Sequence, residues 1–96
     1  MRDMAFEMRE WALKWVEGSL LSFVKNKTSL NIVVGRIRKS IESYGLEPKD
    51  VQELIKVIEA SPVYLPNLSK REKTTKLKLV RDAINDMLEG QKRRYK

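Results

Sequence analysis

The segment LNIVVGRIRKSIESYGL, residues 30–46, decides the fold class. Its β-branched content invites assignment as a strand. The apolar positions Leu30, Val33, Val34, Ile37, Ile41 and Tyr44 instead recur at i, i+3, i+4 and i+7, which is the period of a helix face. The boundaries agree with that period. Thr28 and Ser29 offer N-cap hydroxyls, Gly45 suits the left-handed C′ position, and Leu46 can make the apolar contact of a Schellman ending. Residues 30–44 therefore read as a helix.

The flanking segments follow the same period. Residues 4–25 predict a long helix with Asp3 as N-cap and Glu7 and Glu10 near the positive end of its dipole. Met4, Met8, Trp11, Ala12, Trp15, Val16, Leu20 and Phe23, with Phe6, Leu13 and Val24, cover more than half of its circumference. Such a surface requires neighbours on several sides, so this helix is expected at the centre, with the Trp11/Trp15 pair in the core rather than serving as a base-stacking platform. Pro48 at N1 opens a third helix, 48–60, whose face is Val51, Leu54, Ile55 and Ile58 and which Ser61-Pro62 ends. Ser69 and Glu72 form a capping box for a fourth helix, 70–89, with Leu77, Val80, Ala83, Ile84, Met87 and Leu88 inward, Gly90 at C′ and a basic tail at 91–96. The reading is all-α: a small single-domain four-helix bundle around the N-terminal helix.

Composition limits the chemistry. The 96 residues contain no Cys and no His, which excludes disulfides, thiolate nucleophiles, imidazole bases and zinc ribbons. Glycine-rich phosphate loops are absent, and Asp82, Asp86 and Glu89 beside Lys78 and Arg81 read as surface ion pairs rather than a metal site. No cofactor, metal or small-molecule substrate is expected, and the chain is expected not to be an enzyme. The longest uncharged run, Ala60 to Ser69, is short and holds two prolines, so no membrane span is expected. Early charges at Arg2, Asp3, Glu7, Arg9 and Glu10 argue against a signal peptide, and the expected location is cytoplasmic and nucleoid-associated.

The net charge of +7 is unevenly placed. Residues 1–61 carry ten basic and nine acidic side chains, whereas residues 62–96 carry ten basic and four acidic. Lys70, Arg71, Lys73, Lys76, Lys78 and Arg81 line the fourth helix, and Lys92, Arg93 and Arg94 follow in the tail. Lys73 falls at the angle of the core residues Val80 and Ile84, which predicts that the first two turns project beyond the bundle. Arg36 and Lys39 add cations from a segment, 25–41, without a single acid. Clusters of this kind neutralise phosphates, so a non-specific contact to DNA backbone is expected. An RNA or an acidic protein meets the same electrostatics. Sequence-specific reading is not expected, because the outward residues of the third helix include Asp50, Glu53 and Glu59.

For a protein partner the candidates are Ile32 and Leu79, aliphatics off the apolar arcs, and the loop residues Val63, Tyr64 and Leu65. That loop reads either as a strap over the bundle or as a docking segment. A clamp-binding motif is not formed: Gln52 with Ile55 and Ile58 lacks the aromatic pair.

The segments GLEPKDVQELIKVIEASP (45–62) and SKREKTTKLKLVRDAIND (69–86), with the size, helix order and absence of His and Cys, resemble one known family. It is that of the small, basic, all-helical accessory subunits of crenarchaeal family-B replicative DNA polymerases. The resemblance spans the whole chain. It implies a non-catalytic archaeal subunit that binds the polymerase catalytic subunit and helps hold it on primer-template DNA. A thermophilic source is consistent with only six Asn and Gln residues. The alternatives are a free-standing chromatin-type DNA- or RNA-binding protein and a protein adaptor for an acidic partner.

Overall fold

Between residues 24 and 70 the helix ends of the computed structural model fall where terminal backbone groups find partners. The structure describes the backbone of residues 4–94 and the side chains of residues 8–90. The helices are α1 (Met4–Val24), α2 (Leu30–Ser43), α3 (Pro48–Ala60) and α4 (Lys70–Arg94), with no strand among the described residues. The expected N-cap Asp3, the inward side chains of Met4 and Phe6, and the tail side chains of Lys92, Arg93 and Arg94 lie outside the described set.

Asn26 closes α1 from a left-handed φ of 64°. Its N–H donates to Phe23 O at 3.0 Å, and that of Lys27 donates to Ser22 O at 2.8 Å, the two bonds of a Schellman ending. Ser29 Oγ then accepts the Ile32 N–H at 3.2 Å and starts α2. Gly45, at φ 77°, turns the chain out of α2. The N–H groups of Tyr44 and Leu46 both reach Ser40 O, one residue further back for Leu46 than in a Schellman motif, and the Leu46 side chain is buried. At α3 the Glu47 N–H donates to Asp50 Oδ2 at 3.0 Å, and the same oxygen accepts from Arg9 Nη2 at 2.8 Å, tying α3 to α1.

The capping box of α4 is formed. Ser69 Oγ accepts the Glu72 N–H at 3.1 Å, and Glu72 Oε1 accepts the Ser69 N–H at 3.4 Å. The far end differs from the expectation. The helix continues through Gly90 to Arg94, so Gly90 is an interior residue rather than a C′ stop.

α1 packs against α2, α3 and α4, as its broad apolar surface requires. α4 also touches all three of the others, so the centre is shared by two helices rather than held by one. The core joins Val16, Leu20 and Phe23 of α1 to Val33 and Ile37 of α2, Val51, Ile55 and Ile58 of α3, and Leu77, Val80 and Ile84 of α4. The buried hydroxyls of Ser19 and Ser40 donate to the carbonyls of Trp15 and Arg36 on their own helices, so neither is left unpaired. The molecule measures 40 × 38 × 21 Å. Among the described residues no helix is long and apolar enough to cross a membrane.

Candidate nucleic-acid interface

Two of the first basic side chains of α4 are turned inward, and the projecting arm expected from the sequence is not formed. Lys73 is only 3 % exposed. Its Nζ donates to Ile58 O at 3.3 Å and to Ser61 O at 3.0 Å, at the C-terminal end of α3. The cause lies eleven residues upstream. Ile58 O needs the N–H of residue 62 to complete the α-helical pattern, and residue 62 is proline. The last bond of α3 is Ser61 N–H to Val57 O, which leaves the Ile58 and Ser61 carbonyls to a side chain. The lysine stem fills a core position while its ammonium closes the negative end of the α3 dipole.

Lys76 is half-buried. Its Nζ bonds to Asn26 Oδ1 and lies 5.9 Å from the Phe23 ring centroid, joining α4 to the end of α1. Arg81 pairs with Oε1 of the buried Glu59, whose Oε2 accepts from Thr74 Oγ1 at 2.7 Å. These three cations are thus bound up in tertiary structure.

Lys70, Arg71 and Lys78 are different. All are exposed, and none makes an ion pair among the described residues. Arg71 and Lys78 are seven residues apart, two helical turns, and so share one outward line about 10 Å long. Glu72, the acid next to Arg71 in the chain, is engaged in the capping box. With Lys70 about 100° round the helix, these residues are the exposed basic surface of α4 among the described residues.

A second cationic edge lies where α2 meets α1, and there sequence reasoning placed an aromatic wrongly. Trp11 is 51 % exposed rather than in the core. The inward line of α1 runs through Ala12, Val16, Ser19, Leu20 and Phe23, and Trp11 lies about 100° from Ala12 on the helical wheel. Trp15 is half-buried at the margin. The two indoles stack with centroids 5.2 Å apart and planes at 30°, and Tyr44 meets Trp11 edge-on at 5.5 Å. Arg36 lies 5.5 Å from the Trp15 centroid and donates from Nη1 to Ser19 Oγ at 3.0 Å. Lys39 Nζ is 5.9 Å from the Tyr44 ring. The broad apolar arc of α1 hid this arrangement.

The candidate docking residues fall into separate settings. Ile32 and Leu79 are each about half exposed, on α2 and α4. In the 61–69 loop, Leu65 is buried against the core at a left-handed φ of 53°, so it straps the bundle and is closed to a partner. Tyr64 is half-buried, its hydroxyl 3.4 Å from Glu17 Oε1. Val63 points to solvent at 82 % exposure and takes no part in the strap. Asp82, Asp86 and Glu89 are exposed but form none of the expected ion pairs with Lys78 or Arg81 among the described residues, where no group of three or more metal-ligating side chains comes together either.

Neither protein-family models nor curated proteins nor solved structures show a match to this chain.

Proposed function

We propose that the chain is a non-catalytic DNA-replication accessory subunit, which docks on a family-B DNA polymerase and helps hold it on primer-template DNA. The observation that carries the DNA half of this reading is the exposed set Lys70, Arg71 and Lys78, which makes no ion pair among the described residues, on a chain of net charge +7. Such cations neutralise phosphates without reading bases. The polymerase half rests on the resemblance of residues 45–62 and 69–86 to polymerase accessory subunits. Ile32, Val63 and Leu79 are among the exposed aliphatics, with Val57 on α3, that a protein partner can cover.

If the set neutralises three phosphates, log K for duplex DNA falls with log salt at a slope of about −2.7, a loss of about 40-fold between 50 and 200 mM salt. Replacing Lys70, Arg71 and Lys78 by Gln flattens that slope while leaving the thermal melt in place. Salt-independent affinity overturns the DNA contact. Affinity capture with the full chain separates the partners. Stoichiometric recovery of a polymerase supports the accessory role, and recovery only of nuclease-sensitive material replaces it with a free-standing chromatin-type role.

A further inference from the structure

We infer that the Trp11–Trp15–Tyr44 cluster is a stacking platform for an unpaired base of single-stranded nucleic acid, with Arg36 and Lys39 neutralising the phosphates beside it. The inference deepens the reading above, and rests on it, by naming which form of nucleic acid this edge takes. Trp11 presents about half its surface to solvent although it is held by Trp15 on one side and Tyr44 on another. An indole ordered in advance loses little rotamer freedom when a base stacks on it. Stacking of this kind accepts any base, because every base has a π face.

The charge around the cluster selects the ligand. Arg36 is oriented by Ser19 Oγ and by the Trp15 face, so its guanidinium is fixed at the platform rather than free in solvent. Lys39 lies over Tyr44 on the same edge of α2. Both come from the segment 25–41, which contains no carboxylate, whereas Glu10 beside Trp11 and Glu42 beside Tyr44 are the exposed acids at the margin of the cluster. A duplex buries the faces of its bases, so its interior pairs cannot use an exposed indole. An unpaired strand offers both the face and the flanking charge. The platform is on the α1/α2 edge and the Lys70–Arg71–Lys78 set is on α4, so one protein can hold unpaired and paired segments through different residues.

The test uses the full chain and two probes of equal charge. One is an oligothymidylate of about a dozen nucleotides, and the other is an abasic phosphodeoxyribose of the same length. The expected result is about 5- to 150-fold weaker binding of the abasic strand, with quenching of tryptophan emission by the thymidylate alone. W11A lowers thymidylate affinity by a similar factor and leaves duplex affinity unchanged, while W11Y retains most of it. Equal affinity for the two strands, without quenching, overturns the platform while leaving the α4 contact intact. Failure to bind either strand or duplex overturns both readings. Unchanged thymidylate binding by W11A, with loss of polymerase recovery, makes the cluster a protein-docking patch and likewise overturns the platform.

Discussion

Lys73 Nζ lies 3.0 Å from the carbonyl oxygen of Ser61, so a lysine of α4 serves as the C-terminal cap of α3. Lys73→Met preserves the stem and removes the donor. It leaves the Ile58 and Ser61 carbonyls unpaired in a largely closed site, a change that costs about 1–3 kcal/mol. Urea denaturation is the measurement. Wild-type stability in this variant would show that the cost of burying the ammonium cancels what its bonds contribute. Duplex affinity should not change, because the ammonium does not face solvent.

Arg81 and Glu59 form the one ion pair among the described residues with a buried carboxylate. Arg81→Ala strands that carboxylate with only the Thr74 hydroxyl to satisfy it. The penalty for breaking a fully buried pair is reduced here because Arg81 remains about one-third exposed, and a loss of about 2–3 kcal/mol is expected. The double variant E59Q/R81A should recover part of this loss in the same denaturation experiment. No recovery would mean that Arg81 acts through packing rather than charge.

Leu65 combines a buried side chain with a left-handed backbone, two properties that oppose each other. L65A removes the packing and keeps the unfavourable φ, at a cost of about 2–4 kcal/mol. L65G removes the same packing but relieves the backbone, worth about 1 kcal/mol. The glycine variant should therefore melt above the alanine variant. The opposite order would show that Leu65 is not held at positive φ in solution.

The local order of the chain was legible because the signals were themselves local. The 3.6-residue period of Leu30–Tyr44, Pro48 at N1 and the Ser69/Glu72 box each depend on neighbours within a few residues. Their helices begin where those signals place them. Lys73 was misread because its role depends on Pro62, which leaves a carbonyl orphaned on another helix. A helical wheel of α4 alone contains no such acceptor. Trp11 was misread for a different reason. When more than half of a helix is apolar, periodicity cannot say which part of the arc meets the core, and the compact line Ala12–Val16–Leu20 won over the bulkier indole. For the basic residues the types were evident and the engagements were not. Lys76 and Arg81 are held by Asn26 and Glu59, fifty and twenty-two residues away in sequence.

The most extensive contacts between helices are made by neighbours in the chain, α1 with α2 and α3 with α4. Each of these hairpins closes over a short connection, so little loop entropy opposes its formation. Chains dominated by such nearby contacts fold in roughly microseconds to milliseconds. The distant ties, Arg9 to Asp50 and Lys76 to Asn26, are then made only as the two hairpins dock. Substitutions at those ties should chiefly speed unfolding and leave the folding rate nearly unchanged.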